Sequence, residues 1–319
     1  MRLPITVGTR GSPLAIAQTR HVCARLVAAH PALAEEGALL TRVIATSGDR
    51  FTDRPLADIG GKGLFTKEIE EALLDGRIDL AVHSMKDLPT RLPEGLEIAA
   101  MPEREDPRDV LIVRDAADES DAADATAGLA GLRAGARVGT GSLRRQAQLL
   151  AQRPDLTIVP FRGNVGTRLG KVADGVADAT LLALAGLRRL GEDTGTMAVL
   201  TPGEMLPAVG QGALGIECRI GDVATREALL PVADPTTTAA VACERALLEV
   251  LDGSCRTPIA GLAESDGAGG LRLDALIARP DGSACHRIER TGAMADAAAI
   301  GRDAGAALRA AAGPDWFDW

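Results

Sequence analysis

The feature that most constrains the fold is an alternation of strand-like and helical segments from residue 4 to about residue 200. Short apolar runs are followed each time by amphipathic stretches with helical periodicity. This order favours α/β layers around largely parallel sheets. After about residue 235 the pattern changes to a helix, short strands and a final alanine-rich helix, which is typical of an α+β domain.

Two short patterns occur twice, in the same order along the chain. Residues 7–12 (VGTRGS) are echoed by residues 138–142 (VGTGS), and residues 75–81 (DGRIDLA) by residues 174–180 (DGVADAT). Both copies of the first pattern lead from a strand into a helix, and in the first copy Ser12 has the position of an N-cap. We therefore predict two lobes of similar α/β design.

Proline-bearing segments at residues 101–107 and 200–207 mark two crossings between these lobes, which predicts a hinge. The predicted domains are residues 1–103 with about 210–232, residues 104–209, and residues 233–319.

Composition excludes several classes of function. The chain is 46% hydrophobic and 25% charged, as in globular proteins. A net charge of -9 would repel a phosphate backbone, and 2% aromatic residues leave few rings for nucleobases, so no nucleic-acid partner is expected. No apolar run is long enough to span a bilayer, and no secretory signal precedes the first strand. We therefore expect a cytoplasmic protein without a membrane partner.

The five cysteines form no C-x-x-C pair and the four histidines are scattered, so no metal site is predicted. Cys255 falls in a loop between a predicted helix and a predicted strand, where we expect an accessible thiol. The other four cysteines fall in helix or strand patterns, where a buried, inert thiol is usual. The residues alone leave open whether Cys255 is a structural or a functional cysteine.

Two segments of the first lobe carry residues that suit a ligand. Residues 60–65 (GGKGLF) enter an amphipathic helix, which indicates either an anion-binding turn with Lys62 or a plain flexible turn. A buried strand at residues 78–82 ends just before Ser84, Lys86 and Asp87, where α/β enzymes place working groups. Asp87 is expected to be ionised and to stabilise a cation or exchange a proton, with a turn-capping carboxylate as the alternative.

Arginines recur where predicted strands pass into helices. Arg144 and Arg145 follow Ser142 in a first helical turn, where positive side chains oppose the helix dipole. A bound anion would explain this arrangement. Arg10 occupies the matching turn of the first lobe. Each arginine alone could be a solvated surface residue, but the set predicts a polyanionic ligand; its other members are Arg162, Arg168, Arg188 and Arg189.

Several segments together resemble the porphobilinogen deaminase (hydroxymethylbilane synthase) family. The similarity follows the family's order over essentially the whole chain. The segments are residues 9–15, 60–65, 83–89, 139–146, 162–165, 210–218 and 253–255.

The resemblance implies two lobes like those of type II periplasmic binding proteins, the first completed by a segment that returns after the second, and a smaller α+β C-terminal domain. It implies a transferase of tetrapyrrole biosynthesis that joins four porphobilinogen molecules head to tail with loss of ammonia and then releases hydroxymethylbilane. It also implies a dipyrromethane cofactor held by a thioether to Cys255, and a monomer.

The resemblance further implies a role for each matching residue. Asp87 is the catalytic carboxylate, which stabilises positive charge developing on a pyrrole nitrogen. Cofactor contacts besides Cys255 are implied for Lys62, Ser84, Lys86, Ser142, Arg144 and Arg145. Contacts to the substrate are implied for Arg10, Ser12, Arg162, Arg168 and Arg189.

Two other functions fit parts of the sequence. A two-lobed receptor for a small carboxylate explains the lobes and the arginines, but not the third domain or Cys255. The effector domain of a transcription regulator would need an attached DNA-binding helix-turn-helix, which we do not expect because the first lobe begins at Arg2.

Overall fold

The computed structural model of the protein describes residues 3–50, 66–114, 125–192, 197–251, 257–313 and 316. These residues form two compact units. The first unit contains the described residues within 1–54, 58–105 and 212–239, and the second contains those within 106–211 and 240–319.

The secondary structure of the described residues alternates as predicted up to about residue 200. The strands are β1 Ile5–Thr9, β2 Leu39–Val43, β3 Leu80–Ser84, β4 Leu96–Ala100, β5 Asp109–Val113, β6 Arg137–Gly139, β7 Thr157–Val159, β8 Ala179–Ala183, β9 Ala198–Val199, β10 Leu214–Arg219, β11 Ile259–Ser265, β12 Gly270–Ala278 and β13 Cys285–Ala293. The helices are α1 Pro13–Ala29, α2 Ser47–Arg50, α3 Lys67–Leu74, α4 Leu143–Gln152, α5 Val165–Ala173, α6 Leu184–Leu190, α7 Val223–Leu229, α8 Pro235–Val250 and α9 Ala297–Ala312.

Each unit is built on a five-stranded mixed sheet, and the two sheets have equivalent strand orders. The first is β2-β1-β3-β10-β4 and the second is β7-β6-β8-β5-β9. In each sheet the first three strands are parallel, and the fourth runs antiparallel to the third. The prediction of two α/β lobes of similar design is therefore confirmed.

The second repeated pattern places the same carboxylate in both sheets. Asp79 Oδ2 accepts a hydrogen bond of 2.8 Å from the backbone N–H of Thr6, and Asp178 Oδ2 accepts one of 2.8 Å from that of Arg137. Both aspartates therefore fix the start of the neighbouring parallel strand. The echo in the sequence reflects equivalent positions in the two sheets.

The first repeated pattern caps one helix in each unit. Ser12 Oγ accepts a hydrogen bond from the Ala15 N–H at 3.2 Å, and Pro13 opens α1, as predicted. Ser142 Oγ accepts one from the Arg145 N–H at 3.4 Å at the start of α4. These serines satisfy backbone donors that a helix start leaves without partners.

Aliphatic side chains from strands and helices fill each unit. In the first unit α1 packs on the sheet, and in the second α4 does the same. Burial of each such side chain contributes roughly 1.5–3 kcal/mol. Fully buried examples are Val7, Val22, Leu26 and Leu80 in the first unit, and Leu111, Val138, Leu149 and Leu200 in the second.

The last part of the second unit is an antiparallel meander of β11, β12 and β13, on which α9 packs. Its strands are longer than the short strands that the sequence predicts. The predicted hairpin turn at Asp281 and Gly282 is confirmed, with Gly282 at a φ of 74°. Gly301 allows α9 to lie close to α8, because a Cβ there would overlap the carbonyl oxygen of Cys243.

Candidate functional site

The predicted ligand-binding residues of the first unit lie at one edge of its sheet. Arg10 and Ser12 directly follow β1, and Ser84 ends β3, which is the parallel neighbour of β1. Parallel neighbours end at the same edge, so these residues are brought together. A hydrogen bond of 2.8 Å from Gln18 Nε2 to Ser84 Oγ ties α1 to the end of β3. Gln18 is not among the predicted site residues.

Asp87 stands on a 3₁₀ turn, Met85–Asp87, that follows β3 without a break. The turn is anchored by buried Met85, whose N–H donates to the Ala213 carbonyl at 3.0 Å. Gly215 makes room for this anchor, since a Cβ there would overlap Met85 Sδ. The Asp87 side chain itself is exposed.

A buried contact between a histidine and a carboxylate lies just before this turn. His83 Nε2 is 3.0 Å from Glu217 Oε2, and Glu217 is fully buried. The strands β3 and β10 carry the two side chains, so the pair links the strand that leads to Asp87 with its antiparallel neighbour. The sequence analysis did not single out this pair, because 134 residues separate its members.

The corresponding edge of the second unit carries two buried arginines. Ser142 caps α4, and Arg144 and Arg145 follow in its first turn with 7% and 5% exposure. Both guanidiniums contact Asp109, the first residue of β5. Arg144 Nη2 lies 2.8 Å from Asp109 Oδ2, and Arg145 Nη2 lies 2.8 Å from Asp109 Oδ1.

Asp109 changes the interpretation of the arginine pair. Burial alone would raise the pKa of Asp109, but the charges and hydrogen bonds of Arg144 and Arg145 hold that pKa well below its usual range. The sequence predicts that an anion offsets the two arginines in this first helical turn. In the structure the Asp109 carboxylate, a part of the protein itself, is such an anion. The sequence had indicated only a bound ligand.

The three other arginines with an implied substrate contact lie after β7 and in the helices that follow β7 and β8. Arg162 follows β7 and is half-buried. Arg168 lies in the first turn of α5, where its Nε donates to the Gly163 carbonyl at 2.9 Å. Arg189 lies in the last turn of α6 and is half-buried. Arg162 therefore shares its edge with Ser142, while Arg189 lies a helix length from the end of β8.

Gly139 and Gly141 let the segment after β7 approach the loop that starts α4. A Cβ at Gly139 would lie 2.5 Å from the ring of Phe161, and one at Gly141 would lie 2.7 Å from the Phe161 carbonyl oxygen. Phe161 directly precedes Arg162. These glycines therefore bring the residues after β6 and β7 close together.

Lys62 and Cys255 lie outside the described residues, so their roles stay predictions. Within the described ranges, no helix is long and apolar enough to cross a membrane, and no cluster of metal-ligating side chains occurs.

The other four cysteines are described. Cys218 and Cys243 are buried, as predicted, and burial raises their thiol pKa values to about 11 and about 12. Cys23 is half-buried on α1. Cys285 is exposed, and the expectation of a buried thiol is wrong there, because it begins β13, a strand at the edge of its sheet.

Solved structures with a similar chain path include periplasmic binding proteins. One from Salmonella typhimurium, described as having high arginine specificity, is 14% identical with a TM-score of 0.38 and covers 73% of this chain and 93% of that chain. An ABC transporter protein from Parabacteroides distasonis is 15% identical with a TM-score of 0.39, over 71% of this chain and 70% of that chain.

Relatives with much higher identity match nearly the full chain. The porphobilinogen deaminase of Paracoccus denitrificans (strain Pd 1222) is 52% identical over 316 residues, which are 99% of this chain and 97% of the relative. The chloroplastic porphobilinogen deaminase of Oryza sativa subsp. japonica is 52% identical over 319 residues, 98% of this chain and 86% of the relative.

Two family models together match most of the sequence. Residues 5–227 match "Porphobilinogen deaminase, dipyromethane cofactor binding domain", and residues 238–310 match "Porphobilinogen deaminase, C-terminal domain". The chain belongs to the porphobilinogen deaminase family.

Proposed function

We propose that the chain catalyses the reaction of its family, the stepwise joining of four porphobilinogen molecules with loss of ammonia and the hydrolytic release of hydroxymethylbilane. The observation that carries this proposal is the exposed Asp87 carboxylate on an anchored turn, beside Ser84 and Arg10 at one sheet edge, in a chain of this family.

The residues of the second unit fit a cofactor that carries carboxylates. Arg144, Arg145 and Asp109 have a net charge of +1, and Arg145 Nε is buried without a hydrogen-bond partner among the described residues. We propose that Ser142 and both arginines hold the dipyrromethane, together with Lys62, Ser84 and Lys86, and that Cys255 is its covalent attachment. When bound, the dipyrromethane supplies the pyrrole to which the first substrate is joined.

Asp87 would act on the substrate through its charge. As ammonia leaves porphobilinogen, positive charge develops on the pyrrole nitrogen, and a carboxylate within hydrogen-bonding distance stabilises that charge. A charge-assisted hydrogen bond contributes roughly 1.5–3 kcal/mol of binding free energy. If the bond is made only in the transition state, this free energy lowers the activation barrier and raises the rate by a large factor. The same carboxylate can accept and return a proton.

The substrate's own carboxylates require cationic partners. We propose that Arg10, Arg162, Arg168 and Arg189 provide them, with Ser12 as an additional donor. Guanidiniums suit this role because they bind a carboxylate through two parallel N–H groups. A chain that gains carboxylates at every step needs several such partners.

Replacement of Asp87 by Asn tests the assignment of the catalytic carboxylate. Asp87→Asn keeps the size of the side chain but removes its charge, so kcat should fall about 100-fold or more. Because the side chain is exposed, the free energy of unfolding should change by less than about 0.5 kcal/mol. Steady-state kinetics, thermal melting and pyrrole binding measure these effects.

Asp75→Asn is the matched control, since Asp75 is also an exposed carboxylate of the first unit but lies before β3 rather than after it. It should keep kcat within about twofold of the wild type. If Asp87→Asn retained most of the wild-type turnover, Asp87 would not have the proposed role.

A monomeric state, a cytoplasmic location and the division into three domains are parts of the same proposal. The acidic net charge of -9 favours a dispersed protein over association with anionic surfaces. Light scattering on a sizing column tests the monomer directly.

A further inference from the structure

Asp109 is the most completely buried carboxylate of the second unit's site, and it is absent from the residues that the sequence analysis assigned to that site. It has 0% exposure. Its Oδ1 accepts hydrogen bonds from Arg145 Nη2 and Gln211 Nε2, both at 2.8 Å. Its Oδ2 accepts one from Arg144 Nη2 at 2.8 Å. One carboxylate therefore joins two guanidiniums and an amide.

Each guanidinium is also held from a second direction. Arg144 Nη1 donates to the Leu206 carbonyl at 2.6 Å, and Arg145 Nη1 donates to the Leu181 carbonyl at 2.9 Å. Together with the bonds to Asp109, these bonds use two of the five N–H groups of each guanidinium. The orientation of both side chains is therefore fixed by β5, the middle of β8 and the segment between β9 and β10, independently of any ligand.

The charge of this group is not balanced. Two guanidiniums carry two positive charges, Asp109 carries one negative charge, and Gln211 is neutral. A buried excess charge is costly unless an ion of opposite sign reaches it. The two arginines and Asp109 are therefore oriented before any ligand binds, and together they carry one uncompensated positive charge. These are the properties expected of a binding site for a single carboxylate.

We propose that Asp109 is the positioning residue for Arg144 and Arg145, and that the one positive charge it leaves is matched by a carboxylate of the dipyrromethane. This inference rests on the proposed function. It adds to that function a residue that does not touch the cofactor, and the reason why the two arginines are ready to bind it.

The first test follows attachment of the cofactor to the full-length apoprotein. Wild type and Asp109→Asn, each produced without porphobilinogen, are mixed with porphobilinogen, and the gain in intact protein mass is followed over time. We expect attachment to be about tenfold or more slower in Asp109→Asn, because misplacement of binding groups is costly in rate.

Asp178→Asn provides the matched control. Asp178 also lies among arginines of the second unit, with Arg133 at 3.1 Å and Arg137 at 3.4 Å, but it serves the start of β6. Its replacement should lower the melting temperature while attachment stays within about twofold of the wild type. A folded Asp109→Asn protein that gains mass at the wild-type rate would overturn the proposal.

Because Asp109→Asn leaves two buried guanidiniums without an anion, a second comparison separates positioning from charge. In Arg144→Gln the remaining pair, Arg145 and Asp109, is neutral. In the double variant D109N/R144Q the net charge returns to +1, as in the wild type. Attraction by charge alone predicts that the double variant attaches the cofactor at least as fast as Arg144→Gln.

Positioning by Asp109 predicts the opposite order: the double variant should attach the cofactor about tenfold more slowly than Arg144→Gln. Circular dichroism and thermal melting verify that both variants are folded. Equal or faster attachment in D109N/R144Q would overturn the role of Asp109. A wild-type apoprotein that gained no mass with porphobilinogen would instead contradict the proposed function.

Discussion

The Glu70 carboxylate is buried in the first unit close to a second carboxylate, Glu217. Its exposure is 7%, and its Oε1 has no hydrogen-bond partner within the described ranges. Burial raises the pKa of Glu70, and the negative charge of Glu217 raises it further. Folding therefore favours the protonated form of Glu70 at this position.

This direction of shift determines how Glu70 affects stability. An acid whose pKa is raised on folding contributes stability below its unfolded pKa, near 4.3, and that contribution is lost as the pH rises through the folded pKa. At pH 8 the folded protein must either bury a charged Glu70 or bind a proton that the unfolded chain does not bind, and both cost stability. Glu70→Gln removes this cost, so its melting temperature should exceed that of the wild type at pH 8 and the gain should shrink towards pH 5.

Thermal melting of both proteins across this pH range tests the prediction. Glu71→Gln is the control, because Glu71 is the next residue of α3 but is exposed. It should leave the pH dependence of the melting temperature unchanged. If the melting temperatures of Glu70→Gln and the wild type differed by the same amount at pH 5 and at pH 8, burial of a charge at Glu70 would not explain the difference.

At the scale of single elements, the loop between β6 and α4 links packing to the site. Gly141 lies against the Phe161 carbonyl oxygen, which a Cβ would approach to 2.7 Å. A backbone atom cannot move aside as a flexible side chain can, so any larger residue at this position must displace the loop itself. That loop ends at Ser142, which caps the helix carrying Arg144 and Arg145.

Gly141→Ala should therefore affect both stability and the site. We expect a loss of roughly 1–3 kcal/mol in the free energy of unfolding, together with slower attachment of the cofactor. Gly170→Ala is a suitable control, because a Cβ built at Gly170 in α5 would meet no other described part of the protein within 4 Å, apart from its chain neighbours and the backbone of its own helix. The control should be more stable by roughly 0.5–1 kcal/mol, as expected for alanine in a helix.

Chemical denaturation and intact-mass measurements on the two variants decide the outcome. Equal stability of Gly141→Ala and the wild type would show that the close approach of Phe161 is not needed.

The same elements show which features can be predicted from sequence. The helix that starts at Pro13 and the helix over 143–152 were predicted from signals within a few residues, namely a cap, a proline and periodicity. The partner of the arginine pair was not, because Asp109 lies 35 and 36 residues away from them in sequence. Contacts over such separations depend on the strand order, which no local pattern specifies.

At the scale of the whole chain, two sheets of equivalent order place several of the predicted site residues, among them Ser84 and Ser142, at or just after strand ends. The repeated patterns predicted this duplication because each copy performs the same local task in its own sheet. The assignments of Lys62 and Cys255 remain predictions from the family resemblance. The thioether at Cys255 is also the feature that distinguishes the proposed enzyme from a two-lobed receptor.

The intact mass of the purified, denatured protein tests this central claim most directly. The wild type should exceed its sequence mass of 32.9 kDa by two linked pyrroles, and Cys255→Ala should lack both this added mass and activity. Cys218→Ala and Cys243→Ala should keep the added mass, since their buried thiols have raised pKa values and are poor nucleophiles. Wild-type protein that was fully active at its unmodified sequence mass would contradict the account.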